Sequence, residues 1–165
     1  MRGASSDHVT RYFDLEEAQA LLPVLSGRLG DALQLHSHLR QCVEVMDHVG
    51  LEVSWELLRS EEELAGEPDE EQLQALARAR MVYQLLRDRV EEIESTGVRV
   101  RGVVEGHVDF RTWIDGAEPA ALSWKLGESQ IQFYCEGEDD ESERKPIHGH
   151  RFSRTRRALN AAQRH

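Results

Sequence analysis

The sequence predicts an α+β fold: a long antiparallel helical hairpin packed on a small antiparallel β-meander. Three observations predict it. Two runs of apolar residues are spaced alternately by three and four positions, and glycine closes each run. After Gly97 the apolar period drops from 3.6 to 2. Turn signals at Asp115-Gly116 and Gly127-Glu128 then divide the alternating stretch into strands.

The first run is introduced by Asp14, with Glu17 three residues on, the pattern of a capping box that starts a helix at Leu15. Pro23 falls well inside this run and lacks the amide for the i→i−4 bond, so it is expected to kink the helix or to start a second one. The seam continues through Leu22, Leu25, Leu29, Ala32, His36, Leu39, Val43 and Met46 to Gly50. The second run opens at Asp69, again with a capping-box partner at Gln72, and its seam follows Leu76, Ala79, Tyr83, Leu86, Val90 and Ile93. Each run is read as about 25 residues, two rods of about 37 Å whose matched lengths favour an antiparallel pair. Between them Leu51, Trp55 and Leu58 stand at helical spacing, a short amphipathic helix over the hairpin tip that leaves Trp55 exposed.

In the alternating region Val98 and Val100, then Val108 and Phe110, then Ala120, Leu122, Trp124 and Leu126 share apolar faces, as do Ile131, Phe133 and Cys135. A meander with one apolar face needs a partner layer, and the hairpin is the one available. The expected organisation is a flexible segment 1–10 and one domain 11–147, followed by a basic tail 148–165. Within the domain the hairpin covers 14–97, the meander 98–136 and an acidic, solvated loop 137–147.

Composition narrows the function classes. In 165 residues, 39% are hydrophobic and 31% charged, which suits an elongated shape with much surface per unit core. No apolar stretch reaches eighteen residues and the opening residues lack an apolar signal core, so a cytoplasmic protein without a membrane span is expected. Cys42 and Cys135 are the only cysteines and are expected to stay reduced. Charge is uneven: residues 1–97 carry 9 basic and 20 acidic groups, residues 98–141 carry 4 and 10, and residues 142–165 carry 7 and 1. So acidic a body repels phosphate backbones, and contact with nucleic acid is expected only through the basic tail.

The polar side of the meander supplies the one candidate site, His107, Asp109, Glu128 and Cys135, with Glu136 nearby. Carboxylates beside an imidazole or a thiol are the donor types that hold a divalent metal, although this spacing is no recognised metal signature. The competing reading gives Asp109 to loop amides, Glu128 to a turn and Cys135 to the core as a small hydrophobe. Phosphate-binding glycine loops and a Gly-x-Ser-x-Gly elbow are missing, which removes P-loop, Rossmann and α/β-hydrolase chemistry. His36 at a seam position reads as a packed core residue, and His148-x-His150 lacks a third ligand.

Tyr12-Phe13-x-Leu15-Glu16-Glu17-Ala18, Leu21-Leu22-Pro23, Gly106-x-Val108-Asp109-Phe110, Trp124-x-Leu126-Gly127-Glu128, Phe133-Tyr134 and Arg144-x-Pro146 together resemble an uncharacterised, mostly bacterial domain-of-unknown-function family, DUF2203, over residues 11 to 147. The family usually places a histidine where Cys135 stands and a glycine-rich loop where this chain has an acid run. The resemblance implies no established activity. The leading expectation is therefore a non-enzymatic interaction or adaptor module that binds a protein partner or self-associates, for instance through a stripe of Val82 and Leu85. The alternative is a divalent-metal or small polar ligand-binding domain, extending to a hydrolase, that uses Asp109, Glu128 and either His107 or Cys135.

Overall fold

Asp14 starts the first helix: its backbone is extended and its side chain accepts from the Glu17 amide at 2.7 Å, satisfying one of the donors that a helix start leaves orphaned. The structure, a computed structural model, describes residues 10–137 and 142–157, so most of the expected flexible segment 1–10 lies outside the described residues. Helix α1 runs from Leu15 to His48, 34 residues or about 51 Å. The reciprocal arm of the expected capping box is not formed, because the Glu17 carboxylate faces Arg11 at 3.7 Å and Arg154 at 3.3 Å instead of the Asp14 amide. One helix passes through Pro23, so the second helix expected there is not formed. Pro23 lies on the exposed side, where water can take up the Gln19 carbonyl that has lost its amide partner.

Gly50, at φ 82°, ends α1. The Leu51 amide reaches the Met46 carbonyl at 2.9 Å and the Gly50 amide the Asp47 carbonyl at 3.0 Å, the paired bonds of a Schellman stop. The short helix α2 (Trp55–Arg59) follows, buries Leu58 and leaves Trp55 63% exposed, as the spacing predicts. Helix α3 (Glu70–Glu94) opens with both arms of the Asp69–Gln72 capping box. At 25 residues it is shorter than α1, so the two rods pair antiparallel without matching in length.

That mismatch divides the interior in two. The C-terminal half of α1 packs on α2 and α3 through Leu39, Cys42, Met46, Leu58, Leu76, Ala79 and Val82. Cys42 takes the place that the heptad seam assigns to Val43. Val82 is 3% exposed inside this core and cannot form an outer stripe with Leu85. The N-terminal half of α1, from Ala18 to Ala32, packs on the sheet together with Ile93 at the end of α3.

The sheet comprises β1 (Arg99–Gly102), β2 (His107–Ile114), β3 (Glu118–Lys125), β4 (Phe133–Glu136), β5 (Lys145–Pro146) and β6 (Phe152–Ser153). Strands β1 to β5 lie in sequence order, each antiparallel to the next. Asp115 at φ 52° and Gly116 at φ 75°, with the Ala117 amide bonded to the Ile114 carbonyl, form the tight turn between β2 and β3. Strand β6 pairs with the far end of β2, on the edge that β1 occupies at the near end. Between them the Phe13 amide donates to the Arg111 carbonyl at 2.7 Å, so the lead-in to α1 fills the gap.

The chain beyond 147 is therefore not a detached basic tail as far as Arg157. Phe152 enters the sheet core, His150 and Arg151 bind Asp115, and the Arg157 amide donates to the Gly116 carbonyl. Residues 158–165 lie outside the described residues, as do 138–141 of the expected acidic loop. The rest of that loop is structured too, since Lys145 and Pro146 form β5.

Side chains of Val108, Phe110, Ile114, Ala120, Leu122, Trp124 and Tyr134 face the helices. Antiparallel register puts the alternate set on the outer face, so Phe133 stands beside Ser123 and Cys135 beside Ala121. The expectation that Ile131, Phe133 and Cys135 share the core face is thus overturned. Ile131 does enter the core, but it belongs to the loop before β4. Alternation cannot be carried across an irregular residue into a strand that starts later.

Candidate functional sites: the outer sheet face and the hairpin tip

The outer face of the sheet is built by register. Arg99, Asp109, Ser123 and Phe133 form one row across β1 to β4, and His107 and Lys125 form the next. Asp109 is 2% exposed and Ser123 is fully buried, both unusual for polar side chains. Two guanidiniums compensate Asp109: Arg101 donates a short hydrogen bond to its Oδ2, and Arg99 lies 3.7 Å away. His107 Nε2 stands 3.3 Å from Asp109 Oδ1 and is hydrogen-bonded to Ser123 Oγ at 2.7 Å. Burial pushes the Asp109 carboxyl up, but the polar approach of His107 and the hydrogen bond and charge of Arg101 outweigh it, so the group titrates below the ordinary 3.8.

Arg144 closes the other end of the network. Its Nε donates to Ser123 Oγ at 3.0 Å and its Nη2 to the Ser123 carbonyl at 3.2 Å. Its two terminal nitrogens grip Glu128 at 2.9 Å each, and its guanidinium lies 4.4 Å from the centre of the Phe133 ring. Glu128 also accepts from the Lys125 amide at 3.0 Å, and its own carbonyl receives the indole N–H of Trp124 at 2.9 Å. Burial raises the Glu128 carboxyl, and the Arg144 and Lys125 hydrogen bonds lower it by more.

The structure brings His107 and Asp109 together, but not with Glu128 and Cys135 as one ligand set. Glu128 is committed to Arg144, and Cys135 lies in the row of Ala121, away from Asp109. Among the described residues no three His, Cys, Asp or Glu side chains group closely enough to hold a metal ion. The order Asp109, His107, Ser123 is also no nucleophilic triad: one ring nitrogen meets both partners, whereas a triad holds them on opposite nitrogens. The contacts of this arrangement cross from β1 to the turn after β3, with each of the two carboxylates held by guanidinium groups.

Sequence reasoning found Asp109 and Glu128 but missed the residues that hold them, Arg101, Ser123 and Arg144. The sequence holds two traces of them: Arg99 and Arg101 alternate with Val98 and Val100, and Arg144 stands beside an acid run, two residues before Pro146.

The other feature is at the hairpin tip. An open groove of about 480 Å³ lies between α1 and α2, floored by Leu39, Val43, Val53 and Leu58 and walled by Trp55. His36, expected in the core, lines it instead. The indole of Trp55 leans over Tyr83 of α3 with ring centres 6.1 Å apart. Arg80 holds the tip in place by donating to the carbonyls of Leu57 and Glu62, and Gln72 donates to the Val49 carbonyl. These bonds satisfy loop groups that would otherwise need water, so the groove is preformed.

Among the described residues no helix is long and apolar enough to cross a membrane. No curated protein and no solved structure matches the chain. Residues 11–147 match the sequence model of a family described as uncharacterized conserved protein, DUF2203. With the capping, turn and Trp124-to-Glu128 motifs all inside that match, the chain belongs to the DUF2203 family.

Proposed function

We propose that the protein is a non-enzymatic interaction module that acts in the cytoplasm and binds a protein partner at the free end of its helical hairpin. The observation that carries this reading is Trp55, a large aromatic side chain 63% exposed beside a preformed apolar groove. Reduced, buried Cys42 and Cys135 support cytoplasmic residence. The alternative, a metal or small-ligand site on Asp109, Glu128, Cys135 and His107, has less support because guanidiniums already neutralise both carboxylates. Contact with nucleic acid through the basic C-terminal segment has less support as well, since Arg154 pairs with Glu17 and Arg156 stacks 5.7 Å from the Trp113 ring centre.

Photo-crosslinking tests the proposal. A benzophenone side chain in place of Trp55 is expected to give one dominant adduct in the native cell, and the same group at exposed Val24 none. Equal labelling from both positions, or none from position 55, would overturn it.

A further inference from the structure

We infer that the groove at the hairpin tip receives a cationic amphipathic helix from another chain; this rests on the interaction-module reading above and names the chemistry of the partner. Three observations carry it. The first is charge. Residues 44–71, which form the tip, contain eleven carboxylates and a single arginine, Arg59, whose Nε is turned back onto the Trp55 carbonyl at 3.3 Å. Glu44 lines the groove itself, with Glu52 and Glu56 flanking Val53 and Trp55 in sequence, and Arg40 is the one lysine or arginine among its lining residues. A field of that sign concentrates cationic partners and repels anionic ones.

The second observation is the apolar floor, where Val43 and Val53 stay partly exposed in front of buried Leu39 and Leu58. Charge alone does not fill it, so the partner must bring apolar anchors as well as cations. The third is the nature of the walls. They are largely helical, α1 on one side and α2 on the other, and helical backbone is already hydrogen-bonded within itself. Such walls give an extended peptide no strand edge to pair with, so the partner must satisfy its own backbone as a helix with anchors on one stripe. A polycation without that stripe would hold the rim and leave the floor empty.

The test uses the full chain and a fluorescent peptide of about 18 residues, with leucines at i, i+4, i+7 and i+11 among lysines and arginines. Fluorescence anisotropy is expected to show saturable binding that weakens as salt rises. Trp55→Ala and the pair Glu44→Lys with Glu56→Lys are each expected to weaken it about tenfold or more. All three positions are exposed, and circular dichroism of the variants checks that the fold is kept. A peptide of the same composition in scrambled order that binds equally well, indifferent to Trp55→Ala, would reduce the interaction to charge alone and overturn the inference. If a glutamate-substituted peptide binds as tightly and depends on Trp55, the docking groove stands while the cationic partner class falls. Failure of every peptide overturns the inference, and the crosslinking at position 55 then judges the module reading by itself.

Discussion

Both terminal nitrogens of Arg144 lie 2.9 Å from the two carboxylate oxygens of Glu128, joining the segment before β5 to the turn after β3 across sixteen residues of chain. The same guanidinium holds Ser123 and covers Phe133, so a single side chain fastens three neighbouring pieces of the sheet. A point charge cannot reproduce that fork. Arg144→Lys is therefore expected to lower stability by about 1–3 kcal/mol, measured by urea denaturation, with Glu128→Gln losing a similar amount. The double variant is expected to lose less than the two single changes together. Strict additivity would show that the two groups do not act as a pair.

Asp109 makes a larger prediction because its carboxylate is buried between arginines. Asp109→Ala removes the buried acceptor that Arg101 donates to and that His107 Nε2 approaches at 3.3 Å, an expected loss of about 3–5 kcal/mol in thermal or chemical denaturation. A loss below about 1 kcal/mol would mean that the network contributes little.

The pH dependence follows from the same groups. The Asp109 and Glu128 carboxyls titrate below their ordinary 3.8 and 4.5 in the folded chain, and exposed Asp115, bonded to the Arg151 amide and to His150, also titrates below 3.8. A depressed folded pKa means that the unfolded chain binds protons more readily. The stabilisation is then complete above about pH 5.5 and is lost as the pH falls through the folded values. Melting temperatures are expected to drop steeply below about pH 4, and Asp109→Asn is expected to flatten that limb. An acid limb identical in the variant would remove Asp109 from the explanation.

Phe152 lies outside the segment that matches the family, yet it is only 9% exposed and packs near Tyr134, with ring centres 5.4 Å apart. Phe152→Ala is expected to cost about 3–5 kcal/mol, and a chain ended after Ile147 at least as much, measured by urea denaturation. An unchanged midpoint for the shortened chain would put the domain boundary at 147 after all.

Pro23→Ala restores the amide that the exposed third turn of α1 lacks. Stability is expected to rise by about 1–3 kcal/mol, less whatever the proline saves by restricting the unfolded chain. A lower melting temperature would show that the helix path depends on the proline.

Much of this architecture is legible in the chain. Asp14, Asp69 and Gly50 announce helix ends because a cap is a bond between residues two to five apart, and Asp115-Gly116 announces a turn for the same reason. The stripe Leu22, Leu25, Leu29, Leu39 and Met46 is readable because a helix repeats its faces at a fixed spacing.

The tertiary structure alone decided which face of the sheet Phe133 and Cys135 occupy, since alternation has a period but no absolute sense until register with β3 is set. It also decided that Arg101 meets Asp109, that Arg144 meets Glu128, and that Phe152 joins β2. Those contacts connect residues 8, 16 and 38 positions apart or more, with Phe152 seated opposite Ile114. A charged side chain has many candidate partners along a sequence that is nearly one-third charged. Only packing selects among them, because burying any other pairing would leave a charge uncompensated.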